Sequence, residues 1–153
     1  MKKEIISEYF QSWLDKNSKV IKDNFDDKAV YSECYGPIYR NKKEILAWFS
    51  DWNEKGTVLV WTIKRIIIIH QTGIVEWHFK CDYLNKISEF DGVSLIDFNL
   101  EDKISAGRSF RRFAYNCGYR VYLNLILCAG RYFNNSCLNL LLSIGLVRYP
   151  WKP

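Results

Sequence analysis

The sequence predicts an α+β fold. Apolar residues recur at helical spacing in the first third of the chain and at alternate positions from about residue 57. The segments follow in the order helix, helix, short strand, helix, then a run of long strands. A length of 153 residues fits one domain with one core. The chain is 48% hydrophobic and 25% charged, with 6 Trp, 10 Tyr and 9 Phe, which excludes a disordered or collagen-like protein. A core so rich in rings is able to line a pocket.

Ile5, Ile6, Tyr9, Phe10, Trp13 and Leu14 fall on one helical face, with Lys3, Glu8, Gln11, Ser12 and Asp15 elsewhere. After Asn17 and Ser18, the shorter stripe Val20, Ile21 and Phe25, ending at Asp26 and Asp27, predicts a second short helix and hence a helical hairpin. Residues 29–35 read as a brief strand closed by Gly36 and Pro37. Asn41 and Glu44 have capping-box spacing, with Asn at the cap and Glu at N3. The helix they start carries Ile45, Trp48, Phe49 and Trp52 on one side and stops at Gly56.

Residues 58–70, 73–83 and 92–99 are rich in β-branched and aromatic side chains and predict three long antiparallel strands, separated at 71–73 and 85–91. In the second, Val75, Trp77, Phe79, Cys81 and Tyr83 alternate with Glu76, His78, Lys80 and Asp82, giving one apolar and one polar face. The run Ile66, Ile67, Ile68 and Ile69 breaks alternation and implies that both faces are covered there.

The formal charge of +5 is not spread along the chain. Through Ala106 the net charge is −2; from Gly107 onward there are 6 Arg, 1 Lys and no acid, a net +7. Three of the five cysteines, Cys117, Cys128 and Cys137, lie in this last part. With no C-x-x-C pair and two histidines, the composition supports free thiols rather than a disulfide framework or a metal site, so none is expected. Two early glutamates and no following apolar run argue against a signal peptide at the start, so the expected location is cytoplasmic. The apolar run at 138–147, interrupted by Ser143 and Gly145, falls short of the ~20 residues of a membrane span, and none is expected.

Tyr9-Phe10-Gln11-Ser12-Trp13, the stretch from Ala29 to Pro37, Trp48-Phe49-Ser50-Asp51-Trp52 and Asp91-Gly92-Val93-Ser94-Leu95-Ile96 resemble a SnoaL-like protein of the NTF2-like superfamily. The resemblance covers residues 1 to about 105. It implies a curved sheet wrapped around the helices as a cone with an apolar pocket, often dimerising through the sheet's outer face. It also implies an apolar small-molecule ligand and no cofactor. The architecture hosts isomerases, cyclases, dehydratases and proteins with no known reaction, so it carries fold more firmly than activity.

By similarity to ketosteroid isomerases, Glu33 falls on the general-base position, where desolvation raises a carboxylate toward neutrality. Tyr9 falls on the tyrosine that donates to a developing oxyanion. The third part, a protonated Asp in those isomerases, corresponds to Ser94, a weaker donor, and this departs from steroid-type isomerisation. The expected ligand-lining rings are Trp13, Tyr31, Trp48, Trp52, Trp77 and Phe79. Tyr9 also reads as a core ring, and Glu33 as a strand-end carboxylate in solvent or paired with Arg40. His70 and His78 read as surface histidines near a hairpin. Phe110, Arg111, Arg112 and Phe113 have the make-up of a nucleic-acid patch without a recognised module, so no nucleic-acid partner is expected. The four isoleucines predict a homodimer through the outer face.

Residues 106–153 depart from the family, whose members usually end on one more strand containing a Lys-Glu-Phe-like stretch. Residues 107–116 can be back-translated so that the frame two bases on reads Lys-Glu-Phe-Gln-Lys-Ile-Arg-Ile and then stops. The tail therefore reads as the product of a frameshift near Ser105, which would leave the sheet edge poorly paired. The alternative is a lineage-specific basic, apolar extension that binds a membrane surface or a partner.

Overall fold

In the computed structural model of the chain, the described residues are 1–34 and 36–111. They form α1 (Lys2–Leu14), α2 (Lys19–Asn24), β1 (Phe25–Ser32), β2 (Ile38–Tyr39), α3 (Lys42–Lys55), β3 (Gly56–Ile69), β4 (Thr72–Tyr83), β5 (Lys86–Phe98) and β6 (Ile104–Arg111). All six strands join one sheet in the order β2-β1-β6-β5-β4-β3. Neighbours are antiparallel except β1 and β6, which run parallel, so the sheet is mixed. The α+β class holds. A parallel pair needs a long connection, and here everything from β2 to β5 supplies it.

The helical hairpin forms as its pattern predicts, with one change at its end. Asn17 Oδ1 accepts from the Lys19 amide at 3.1 Å and starts α2, but α2 stops at Asn24 and Phe25 opens β1. The apolar stripe Val20, Ile21 and Phe25 is thus shared between a helix and a strand. At α3 the Glu44 amide donates to Asn41 Oδ1 at 2.9 Å. The Glu44 carboxylate turns back onto the Arg40 amide at 2.8 Å, one residue before the cap.

β5 starts six positions earlier than its pattern predicts, at Lys86. The β4–β5 turn is only Leu84 and Asn85, both at positive φ (52° and 62°), the geometry of a tight two-residue hairpin. Lys86, Ser88 and Glu89 are polar, which hides a strand whose pairing with β4 is continuous.

The inner face packs on α1 and α3. Phe10, Ile6, Ile21, Ile45, Val75 and Ile104 are the largest fully buried apolar side chains, and burial of each contributes about 1.5–3 kcal/mol. Among the isoleucines, Ile66 and Ile68 pack on this core, whereas Ile67 pairs with Ile74 on the opposite face. That outer face also carries ion pairs: Lys64 to Asp91 at 2.7 Å, Lys80 to Glu89 at 2.8 Å and Arg65 to Glu76 at 3.2 Å.

β6 continues past Ser105 to Arg111 and hydrogen-bonds on both sides, to β1 and β5. The sheet therefore has its last strand, contrary to the expectation of a poorly paired edge. Small inner-face residues make it fit: a Cβ on Gly107 would lie 2.7 Å from the Tyr31 ring. Gly92 works the same way under Trp77. A Cβ there would lie 2.2 Å from the indole and 2.7 Å from the Phe110 carbonyl, so any side chain forces a shift costing about 1–3 kcal/mol.

The compact unit is Met1–Arg112. Beyond Arg111, the tail on which the frameshift and extension readings rest, with its three cysteines and the 138–147 run, lies outside the described residues. Among the described residues, no helix is long and apolar enough to cross a membrane.

Candidate functional site

β1 presents Tyr31 and then Glu33 on the sheet's inner face, two residues apart, as strand alternation requires. The chain turns at once. The Glu33 amide donates to the Pro37 carbonyl at 3.0 Å, the Gly36 amide donates back to the Glu33 carbonyl at 3.3 Å, and Gly36 takes φ +115°, which favours glycine. Glu33 is thereby pinned at both backbone groups. Its carboxyl is raised above the ordinary 4.5, chiefly by desolvation; the nearby Tyr31 hydroxyl and Cys34 backbone amide oppose the rise.

Tyr31 is 4% exposed. Its ring stacks on Trp48 at 4.9 Å, which stacks in turn on Tyr39 at 4.9 Å. Its hydroxyl lies 3.0 Å from Ser109 Oγ, and Ser109 Oγ lies 3.0 Å from Ser94 Oγ. The Trp77 indole N–H donates to Ser94 Oγ at 2.9 Å. Tyr9, from α1, is also buried, and its hydroxyl has no hydrogen-bond partner among the described residues. Desolvation pushes its pKa upward; the nearby Trp13 indole and Tyr31 hydroxyl pull the other way without closing a bond.

Tyr9, Tyr31 and Ser94 line one cavity together with Phe25, Ile96 and Ile104. Its accessible volume is ≈ 10 Å³, about the room for one water. The remaining expected lining residues join an aromatic cluster. Trp13 meets Trp48 at 4.7 Å and Trp52 at 5.5 Å, and Trp77 meets Phe79 at 6.2 Å. Trp52 stacks on Tyr83. Among the described residues Arg40 makes no ion pair with Glu33, and its amide instead donates to Glu44.

Three residues matter here that stand outside the expected catalytic and ligand-lining sets. Trp61, five positions into β3, touches Tyr9, Phe10, Trp13, Trp77 and Phe79 and is the hub of the cluster; alternation within 58–70 was the available signal. Ser109 joins Tyr31 to Ser94, yet it sits in the segment set apart by composition, and nothing in its neighbours marks it. Cys34 follows Glu33, but burial and the carboxylate's charge push its thiol up to about 11, so it is no ready nucleophile. His78 is on the outer face, between Asp91 at 2.9 Å and Glu89 at 3.2 Å, and His70 is at the β3–β4 turn.

The SnoaL-like domain family matches residues 6–106. No curated protein matches the chain. Among solved structures, a hypothetical protein with a ketosteroid isomerase-like fold from Catenulispora acidiphila, in complex with trimethylamine, aligns with TM-score 0.64 and 14% identity, over 70% of this chain and 84% of that one. A proposed SnoaL-like polyketide cyclase from Mesorhizobium loti aligns with TM-score 0.60 and 15% identity, over 72% and 98%. An LEH-like epoxide hydrolase from M. tuberculosis aligns with TM-score 0.65 and 12% identity, over 84% and 92%. At these identities the likeness is one of fold.

The raised Glu33 carboxyl has a consequence for stability. The folded state holds this proton to higher pH than the unfolded chain, so the contribution is fully present below 4.5 and is lost as pH rises through the raised folded value. Glu33→Gln removes that loss. Thermal melts of both forms from pH 3.5 to 8 should show the variant gaining on the parent through this window and holding its advantage above it. A difference that stays constant or reverses sign contradicts the assignment.

Proposed function

The chain belongs to the SnoaL-like domain family, and from that premise we propose that it binds an apolar carbonyl compound and acts on it without a cofactor, as an isomerase, cyclase or dehydratase with Glu33 as the base. The observation that carries this reading is a raised, half-buried carboxyl on the inner face of a ring-lined sheet. A base for a proton next to a carbonyl must be ionised often enough to accept it and basic enough to hold it, and desolvation supplies the second property. Tyr9 is the donor to the substrate oxygen: a neutral phenol with a raised pKa and a hydroxyl not committed to another side chain. Ser94 is spent on Trp77 and Ser109, so its direct donation to substrate is dropped from the proposal.

The water-sized cavity supports a second reading, a ligand-binding or interaction protein with no turnover. A substrate has to displace rings to enter, and Trp61, Phe79 and Phe90 are the half-buried ones on the inner face. The expected cytoplasmic setting and a second copy on the outer face belong to both readings; the half-buried Ile67 there supports the copy.

Glu33→Gln separates the readings against a panel of apolar ketones and enones. Ligand binding, read by tryptophan fluorescence, should change less than about threefold, while turnover should fall by at least ~100-fold, the range of a lost general base. Turnover that survives the substitution removes Glu33 as base, and absence of turnover in the parent favours the binder. Sedimentation of the full-length chain at micromolar concentration should give a dimer; a monomer removes the second copy.

A further inference from the structure

The ring cluster on the inner face is supplied with hydrogen-bond donors and short of acceptors. Trp77 is the settled case: its indole N–H donates to Ser94 Oγ at 2.9 Å. Trp13 Nε1, Trp61 Nε1 and the Tyr9 hydroxyl are enclosed as well, yet they meet no hydrogen-bond partner among the described residues. The three belong together. Tyr9 and Trp13 are four residues apart on α1 and share its buried face, and the Trp61 ring lies 6.2 Å from the Tyr9 ring and 6.0 Å from that of Trp13. An indole N–H donates and cannot accept. Phe10, Phe25, Phe49 and Phe79, which touch these rings, carry no polar atom. Buried donors are nearly always paired, because leaving one open is costly. At Tyr9 the open group also borders a cavity, and Trp61 is half-buried, so it is one of the rings that an entering molecule can move.

We propose that Trp13 and Trp61 are specificity-determining donors for the ligand of this face: their indole N–H groups take a second acceptor oxygen on an apolar molecule whose first oxygen is held by Tyr9. The inference rests on the carbonyl-ligand reading and adds what selects among carbonyl compounds. The apolar rings call for an apolar body. The open donors call for two separated acceptors, as in a diketone or a keto ester. An N–H or O–H group on the ligand gains nothing from indoles, which cannot accept it. A molecule with a single oxygen satisfies Tyr9 and leaves both indoles as they were, so the second oxygen is where the discrimination lies.

The test uses the full-length protein with ¹⁵N-labelled tryptophan and matched pairs of apolar monoketones and diketones, decalone against decalindione among them. Trp13→Phe and Trp61→Phe assign the indole resonances. The diketone should carry the Trp13 and Trp61 N–H signals further downfield than its monoketone partner does, while the Trp77 signal, already bonded to Ser94, responds alike to both. The diketone should also bind about fivefold more tightly, the worth of one hydrogen bond. Replacing Trp13 or Trp61 by benzothienylalanine, which keeps the bicyclic ring and loses the N–H, should reduce that preference, and replacing both should abolish it. Cooperative melts check that each variant is folded. Equal affinity within every pair overturns the proposal, and so does a diketone preference that survives the loss of both N–H groups. Either result leaves the carbonyl reading and Glu33 in place, whereas failure of every ketone to bind removes that reading and this one together. Diketone-selective binding through the indoles in a protein without turnover sinks the enzymatic reading and leaves this one standing.

Discussion

The register of β6 between β1 and β5 is the constraint on which the rest of the inner face depends. It pairs Gly107 with Tyr31 on one side and with Ile96 on the other, and Ser109 with Ser94. The Tyr31 ring lies over Gly107 because there is no Cβ in its way, and from there its hydroxyl reaches Ser109. A slip of one residue would send Ser109 to the outer face and a larger side chain under Tyr31. Trp77 depends on the same arrangement through Gly92, whose missing side chain leaves room for the indole. Two glycines and two serines on neighbouring strands thus make the floor on which two large polar rings lie.

A polar floor in an apolar core is expensive unless its groups are paired. Here Trp77, Ser94, Ser109 and Tyr31 pair with one another, beside a carboxyl whose pKa burial raises. Glu33 is therefore set by two opposed effects of comparable kind, with desolvation the larger. Around them the rings are packed closely enough to leave only a water-sized space beside Tyr9 and Tyr31. Any ligand must exchange ring contacts for its own, which favours flat or hydrophobic molecules over strongly hydrated ones.

The helices were legible because a single face of each is apolar: Tyr9 and Trp13 are where the 3.6-residue period puts them. Asn41 was legible because a cap has a fixed spacing to its partner. Strand ends were less so, since the polar start of β5 reads as loop until its partner strand is seen. Glu33 and Tyr9 as a pair came through family likeness, as no local pattern connects a helix residue to a strand end. Ser109 was hidden for two reasons. A serine carries no periodic signal, and its pairing with Ser94 is a matter of register across fifteen residues and a turn. Composition also drew a boundary near Lys103 that the backbone of β6 crosses.

Proton removal next to a carbonyl is the most direct expression of the account. The full-length protein, incubated with apolar ketones in D₂O without any added cofactor, should place deuterium at the carbon beside the carbonyl faster than buffer does, as read by ¹H NMR, and Glu33→Gln should bring that rate to the buffer value. Exchange that is equally fast in the variant, or absent across ketones that demonstrably bind, would contradict the claim that this inner face holds a working base.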